Sequence, residues 1–295
     1  MLSQLTTNGH RLIIVDEPEN HLHPEAVHYI DCVLQSISAN HQILISTHNP
    51  IFVNRNCIDS NLIIDGGRVV KASRIDDIRK TLGVVCSDNL IGADYVIVVE
   101  GASDKEVIQK CIQEDKDLVG YYNNKSLVVQ EIGGTHNLQR EVYLLQQLCC
   151  NYVVLLDYDS AGKQAANEIK NAFSVSDDRI RFFMKKNKRD TELEDLYNPK
   201  LYRDLLLNEG ISIDGNSFKN DSWKWSDKIE HAFAEIGKDL SKEKECQLKE
   251  TISSCYFKTP VRECLTSHGY SLISSILAKV KADVGHMIKK EAITQ

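Results

Sequence analysis

Two small groups of carboxylates, each placed directly after a run of apolar residues, are the part of this 295-residue chain best suited to chemistry. The first run, YVIVV at residues 95–99, closes on Glu100 and a glycine, with Asp104 shortly after. The second, VVLLDYDSAG, contains Asp157 and Asp159. Carboxylate oxygens without His or Cys nearby suit Mg²⁺ or Mn²⁺ rather than zinc. The residue types therefore predict a divalent-metal site.

The elements that must position these acids are strands of one sheet. Unbroken Val, Ile and Leu runs are typical of strands buried on both faces of a parallel sheet, and ligands bind beyond the carboxyl ends of such strands. The sequence predicts strands at 95–99, 126–130, 152–156 and 179–184, and helices at 103–113, 137–148 and 161–173. This alternation predicts an α/β fold in which helices cover both faces of a parallel sheet.

An alternative interpretation is that the acids only cap helices. Asp104, Asp159 and Ser160 are all favourable residue types at a helix N-terminus. One such group by itself would favour capping, but two groups in matching contexts favour the metal site.

A strand that ends in Glu-Gly, followed by a strand that ends in Asp-x-Asp, resembles the Toprim domain of topoisomerases, bacterial primases and several nucleases. Between them EIGGTHN, residues 131–137, resembles the glycine turn after the second Toprim strand. The resemblance covers about residues 92 to 198. It also implies a second role for Glu100, which could act as general acid or base instead of binding metal.

The upstream segments RLIIVDEPENHLHP and ILISTHNP resemble the Walker B strand and the switch-histidine strand of ABC-type ATPases. In that chemistry Asp16 would hold the Mg²⁺ of a nucleotide, Glu17 would polarise the attacking water and His48 would sense the γ-phosphate. The sequence contains no G-x-x-x-x-G-K-[ST] phosphate loop. We therefore expect ATP to act here only if another chain supplies the missing half of the ATPase.

An ABC-type segment followed directly by Toprim resembles the overcoming lysogenization defect (OLD) nucleases, a family that includes the nuclease subunit of the Gabija anti-phage system. The chain resembles the C-terminal part of such a protein, whether as a truncated gene, a split gene or a cut piece. The resemblance implies a partial ATPase domain at 1–75, a linker at 76–91, a Toprim nuclease domain at 92–198 and a mostly helical region at 199–295 that completes the site.

The acidic segment TELEDL resembles the stretch that follows the last Toprim strand in OLD proteins and adds an acid to the metal site. Glu192 is the first choice for this acid and Glu194 the second. The two leucines predict a helix whose opposite face presents Glu192 and Asp195. An ordinary exposed acidic helix start is an equally open interpretation.

Three further features have two open interpretations each: Lys258, Asp227 and a basic run after the fourth predicted strand. Lys258 resembles the late lysine of OLD nucleases, which would stabilise charge on the scissile phosphate, and Asp227 stands where the family places another acid. Both could instead be plain surface charges. A run that contains Lys185, Lys186, Lys188 and Arg189 follows the fourth predicted strand and could meet phosphates or form a solvated loop.

The composition sets limits on location and binding. A formal net charge of −7 argues against a large surface that coats DNA, although a nuclease needs only local basic contacts. No apolar stretch is long enough to cross a bilayer, so we expect a cytoplasmic protein with no membrane partner. The nine cysteines form no C-x-x-C pair and predict neither a disulfide framework nor a zinc ribbon.

The sequence thus predicts a DNA endonuclease of the OLD and Toprim type that hydrolyses phosphodiesters. One of two Mg²⁺ or Mn²⁺ ions would activate water and the other would stabilise the leaving 3′ oxygen. The predicted ligands are Glu100, Asp104, Asp157, Asp159 and Glu192. The resemblance also implies a role in anti-phage defence or DNA processing, a homodimer and a helicase-like partner. The alternative is a non-catalytic regulatory fragment that needs a separate ATPase half or a partner.

Overall fold

The computed structural model describes residues 12–55, 57–83, 93–185, 188–220 and 222–292. The first part holds a parallel pair of strands, β1 and β2, an antiparallel hairpin, β3 and β4, and two helices. In chain order these elements are β1 (Leu12–Asp16), α1 (Pro24–Ser38), β2 (Gln42–Ser46), β3 (Leu62–Asp65), β4 (Arg68–Lys71) and α2 (Ile75–Leu82). The turn of the hairpin contains Gly66 and Gly67, both with a positive φ.

The second part is a four-stranded parallel sheet with strand order β6-β5-β7-β8. Its elements are β5 (Tyr95–Val99), α3 (Ala102–Gln113), α4 (Val119–Asn123), β6 (Leu127–Glu131), α5 (Leu138–Gln147), β7 (Asn151–Asp157), α6 (Ser160–Phe173) and β8 (Ile180–Phe183). The strands and helices predicted between 95 and 184 are confirmed to within one residue at each end. The predicted α/β class with a parallel sheet flanked by helices is confirmed as well.

The two faces of this sheet carry two separate apolar cores. One contains Val96, Val154 and side chains of α5 and α6. The other contains Ile97, Leu155 and side chains of α3 together with the helices that follow the sheet. Every residue of β5 is buried, which explains why the central strand reads as a continuous apolar run rather than an alternating one.

The last part is helical, as predicted, and packs on the α3 side of the sheet. Its elements are α7 (Arg203–Asn208), α8 (Asn216–Lys219), α9 (Trp225–Glu235), α10 (Lys242–Lys258), α11 (Val261–Cys264) and α12 (Ser267–Ala292). Trp225 and Tyr256 are its largest fully buried side chains and join the core beneath the sheet. Among the described helices, none combines the length and the apolar content needed to span a membrane.

Arg79 of α2 ties the first part of the chain to the sheet. It is buried, and its guanidinium donates to the main-chain oxygens of Leu148 and Ala93, both at 2.7 Å. We expect Arg79→Met to lower the free energy of unfolding by about 2–4 kcal/mol, because two buried carbonyls lose charged donors. Urea unfolding measures this, and Arg68→Met on the exposed hairpin is the control. An equal loss in both variants would contradict the assignment.

Candidate active site

The carboxyl ends of β5 and β7 bring Glu100 and Asp157 into contact. The two strands are neighbours, with Val99 opposite Leu155, so the residues that follow them lie side by side. The main-chain N–H of Asp157 donates to Glu100 Oε1 at 2.8 Å. Gly162 allows α6 to begin directly against the strand end, because a Cβ at this position would overlap the main-chain oxygen of Asp157.

Asp104 reaches the same place from the first turn of α3. Its Oδ2 accepts the N–H of Gly101 at 3.0 Å, so it also caps the helix. Its negative charge, with those of Glu194 and Glu100, is among the charges that act on Asp157. Asp104 therefore caps α3 and also belongs to the carboxylate cluster.

The acidic segment after β8 folds into the site rather than onto the surface. Leu193–Leu196 is a single 3₁₀ turn, and Glu192, Glu194 and Asp195 are only 2%, 3% and 8% exposed. The N–H of Leu193 donates to Asp157 Oδ1 at 3.1 Å, which fastens the turn to the strand end. The interpretation of this segment as an exposed acidic helix start is wrong.

The helix predicted from the two leucines is instead a single 3₁₀ turn, and Glu192 and Asp195 have different partners in it. Asp195 Oδ1 instead lies 2.9 Å from the Lys188 ammonium, and its Oδ2 accepts the N–H of Trp225 at 3.2 Å. Glu192 Oε1 accepts the N–H of Ser226 in the first turn of α9. A carboxylate is stabilised at a helix N-terminus by the orphan N–H groups there.

Two lysines that the sequence did not single out enter the cluster. Lys249 Nζ lies 3.3 Å from Glu192 Oε2 and 3.7 Å from Glu194 Oε2. Lys224 Nζ lies 3.1 Å from Asp159 Oδ2 and 3.9 Å from Glu192 Oε2. Within the described residues, these two side chains form the ion-pair contacts to Asp159, Glu192 and Glu194.

Burial raises the pKa values of most of these carboxyls. It raises the pKa of Glu100 to about 7 and that of Asp104 to about 6. For Asp157, burial and then the charges of its neighbouring acids raise the pKa well above its usual range. The pKa of Glu194 is raised by burial to about 8, although Lys249 opposes the shift.

Because of these shifts, we expect the protein in excess EDTA to melt at a higher temperature at pH 5 than at pH 8. A carboxyl whose pKa rises on folding contributes stability that is complete below its unfolded pKa of about 4. That contribution is lost as the pH rises through the folded values, about 6 for Asp104, 7 for Glu100 and 8 for Glu194.

Thermal melts followed by circular dichroism at both pH values measure this effect. Glu194→Gln removes one of the titrating groups and should reduce the difference in melting temperature between pH 5 and pH 8 by a few degrees. An exposed acid such as Asp177 gives the matched control, Asp177→Asn, which should leave the difference unchanged. A higher melting temperature at pH 8 for the native sequence would contradict the assignment.

The remaining predicted acids lie at the edge of the cluster. Asp159 caps α6 by accepting the N–H of Gly162 at 2.9 Å, and its pKa is lowered because this bond and Lys224 outweigh the opposing effect of burial. Ser160 is exposed at the first position of α6. Asp227 is half-buried in the first turn of α9. The contact from α9 to Glu192 comes from a main-chain N–H instead.

Lys258 is not brought into the cluster. It ends α10, nine residues after Lys249, which places it about 13 Å further along the helix axis and on the opposite face. Lys258 is exposed and lines a surface cleft of about 680 Å³ with Lys200 and Arg262. The structure therefore places the late lysine proposed from the resemblance away from the carboxylates.

The basic run after β8 is only partly described, since residue 186 lies outside the described residues. Lys188 is not a solvated loop residue, because it is nearly buried against Asp195 and donates to the main-chain oxygen of Trp223 at 2.9 Å. The main-chain oxygen of Arg189 accepts from Lys163. Lys188 thus holds the acidic turn in place.

The three residues assigned to the ATPase segment lie at the carboxyl ends of β1 and β2, where Glu17 and His48 approach each other. Asp16 accepts the hydroxyl of Ser46, and His48 Nε2 lies 3.7 Å from Glu17 Oε1. Glu17 has a positive φ of 44° at the turn that follows β1. His48 is 86% exposed, so the group lies at the surface of the described structure.

The main cluster fits a hard divalent cation, because the side chains in it that could bind a metal are all Asp and Glu, which offer oxygen ligands. Within the described residues, no three His, Cys, Asp or Glu side chains already stand at the spacing of a metal site. Ammonium groups of Lys224 and Lys249 are in contact with Asp159, Glu192 and Glu194. The predicted ligand set stays a prediction.

Little in the sequence distinguishes Lys224 and Lys249 from surface lysines. Lys249 sits in a charged helix whose lysines all look like surface residues. Lys224 had one distinguishing feature, its position between two tryptophans. Trp225 is buried, and Lys249 Nζ lies 5.8 Å from its ring centroid. An aromatic pair around a lysine in a sequence with only two tryptophans was the available signal.

Comparison with known proteins agrees with the sequence resemblance. Residues 93–159 match the family model "Overcoming lysogenization defect protein-like, TOPRIM domain". Residues 1–54 match "AAA domain, putative AbiEii toxin, Type IV TA system". The Old nuclease of Escherichia phage P2 is 24% identical over 187 residues, which are 57% of this chain and 31% of that protein. The chain thus spans about a third of the length of that curated relative.

Among solved structures, the C-terminal region of the Xanthomonas campestris pv. campestris OLD protein is 12% identical to this chain. The match covers 68% of this chain and 97% of that one, with a TM-score of 0.31.

Proposed function

We propose that this chain, whose residues 93–159 form an OLD-like Toprim domain preceded by an AAA-type segment, is a metal-dependent endodeoxyribonuclease. One observation carries the proposal. Glu100, Asp104 and Asp157 are gathered at the carboxyl ends of two adjacent parallel strands, and none of the three forms an ion pair with a basic side chain in the described residues. Buried acids whose pKa values are raised in this way are typical of functional sites.

Divalent ions, when bound, would supply Lewis-acid stabilisation and lower the pKa of bound water. Glu100, Asp104 and Asp157 would hold them, with Asp159 and Glu192 at the other end of the cluster. A pKa of about 7 also equips Glu100 to take up or release a proton near neutral pH. This second role matches the general acid or base function that the resemblance implies.

Lys249 would keep the acidic turn in position and add a positive charge to a strongly acidic centre. Its ammonium bridges Glu192 and Glu194, and its side chain is only 23% exposed. A preorganised cation in a site from which water is partly excluded stabilises developing negative charge more than the same cation in water. Lys249 therefore takes the part in this proposal that the sequence had given to Lys258.

The substrate in this proposal is DNA, as the Toprim resemblance implies, and the chain offers a place for a polyanion outside the acidic centre. Lys200, Lys258 and Arg262 line the surface cleft beside α10, with one acid, Glu263. Local cations of this kind contact phosphates even in a protein with a net charge of −7. Lys258 is then a substrate contact rather than part of the reacting centre.

Cleavage of supercoiled plasmid by the purified chain tests the proposal. With Mg²⁺ or Mn²⁺ and without ATP we expect nicked or linear products, and none in EDTA. Excess metal added after EDTA should restore cleavage, because the carboxylates themselves are unchanged. Metal-independent cleavage, or no cleavage with either ion, would contradict the proposal.

One observation favours a second candidate function, a regulatory piece that acts through a partner. Leu12, Ile14 and Leu44 in β1 and β2 are 59%, 67% and 46% exposed, although parallel strands are normally covered on both faces. In that case the AAA-type segment would need further protein to bind ATP. Metal binding at the carboxylates without any plasmid cleavage would support this candidate. A homodimer and a helicase-like partner are proposals from the resemblance alone.

A further inference from the structure

The carboxylates of the site form two groups, one at each end of the cluster. The two groups differ in whether a basic side chain lies beside them. At the first end, Glu100, Asp104 and Asp157 accept hydrogen bonds from main-chain N–H groups. No Lys, Arg or His nitrogen lies within 4.0 Å of these three carboxylates in the portion of the chain that is described. An ion that enters this end therefore has no ammonium group to displace from these three carboxylates in the described residues.

The second end already contains its own cations. Lys224 is 3.1 Å from Asp159 and 3.9 Å from Glu192, and Lys249 is 3.3 Å from Glu192 and 3.7 Å from Glu194. Three carboxylates thus share two ammonium groups. Lys224 lies between Asp159 and Glu192, the two acids that would have to share any ion at this end.

The position of Lys224 is fixed by its neighbours in the chain. Trp223 stacks on His231 with ring centroids 3.9 Å apart, and Trp225 is 1% exposed. Ser226, two residues after Lys224, donates its main-chain N–H to Glu192. Anchors on both sides hold the Lys224 backbone beside the acids, while the flexible side chain can still move its ammonium group.

We propose that Lys224 competes with a divalent ion for Asp159 and Glu192, so that the centre takes up two ions in a fixed order. The first ion binds at Glu100, Asp104 and Asp157, and the second binds at the other end only when the ammonium of Lys224 withdraws. The inference rests on the proposed function, since it concerns the same site. It makes Lys224 a positioning residue that sets the affinity of the second ion.

The test is a titration with Mn²⁺ in the absence of nucleic acid and nucleotide, followed by calorimetry and by the electron paramagnetic resonance of unbound Mn²⁺. All proteins carry Asp16→Asn, which removes the carboxylate of the AAA-type segment from the count. The native site should bind two ions whose affinities differ by at least about tenfold, because a unit charge roughly 4 Å away opposes the second ion.

Lys224→Met keeps the length of the side chain and removes its charge. We expect it to tighten the weaker ion by about tenfold or more and to leave the tighter one unchanged. Lys224→Arg, which keeps the charge, should preserve the difference between the two affinities, and so should the exposed control Lys116→Met. Two ions of equal affinity in the native site, or no change in Lys224→Met, would overturn the inference.

Two further variants keep the test decisive if Lys224→Met folds poorly. Asp104→Asn should abolish the tighter ion, whereas Asp159→Asn should affect only the weaker one. The reverse pattern would overturn the inference. Two equal ions together with metal-dependent plasmid cleavage would leave the proposed function intact, whereas no Mn²⁺ binding at all would overturn both.

Discussion

Asp157→Asn should lower plasmid cleavage by roughly 10³-fold or more and, at pH 8, raise the melting temperature of the same protein. The loss follows from the several kcal/mol that metal ions contribute to such reactions, at about 1.4 kcal/mol for each factor of ten. The gain follows from the raised pKa of Asp157, since its charged form is disfavoured by burial and by the surrounding acids. Asparagine has nearly the same shape without the charge.

The combination of lost activity and gained stability is the diagnostic result. If Asp157 served only to stabilise the fold, its replacement would lower both the cleavage and the melting temperature. Asp190→Asn is the matched control, because Asp190 lies in the same region, pairs with Lys163 at 3.1 Å and is 40% exposed. It should leave cleavage within about twofold and the melting temperature nearly unchanged, as is usual for an exposed ion pair. Retained cleavage in Asp157→Asn would refute the assignment of the active site.

Lys249→Met should lower both activity and stability. Its ammonium lies 3.3 Å from Glu192 Oε2, and Glu192 is only 2% exposed. Removing one partner of a fully buried ion pair costs about 3–5 kcal/mol. We expect the lower end of that range, because Lys249 is 23% exposed. Cleavage should fall by about a hundredfold or more, since a preorganised charge is lost and the acidic turn is loosened.

Lys258→Met is the comparison that separates the two lysines of α10. The lysines stand on opposite faces of one helix, and Lys258 is exposed at the cleft. This variant should keep the melting temperature and the rate at saturating DNA, and weaken DNA binding with a shallower dependence on salt. Urea unfolding, plasmid cleavage and fluorescence anisotropy with labelled DNA provide the three readings. A larger loss of rate in Lys258→Met than in Lys249→Met would restore the assignment made from the sequence.

Local patterns in the sequence determined the sheet and the first half of the site. The apolar runs before Glu100 and Asp157 are typical of buried parallel strands, and parallel neighbours put their carboxyl ends at one edge. The bounds of the strands and helices could be predicted because hydrophobic periodicity, helix caps and glycines act over only a few residues of sequence. The approach of Glu100 to Asp157 also depends on the pairing of β5 with β7, two strands that β6 separates in the chain.

Tertiary structure alone decided which residues complete the site. Glu192 and Glu194 look like a solvated acidic helix start, yet packing of the C-terminal helices buries them. Lys249 could not be told from Lys258 by sequence, because a helix with charges on several faces does not reveal which face meets the sheet. That choice depends on how α10 packs against α3, through contacts between residues more than 100 positions apart. Local patterns do not encode such contacts, so the acids at the strand ends were predictable and the cations that face them were not.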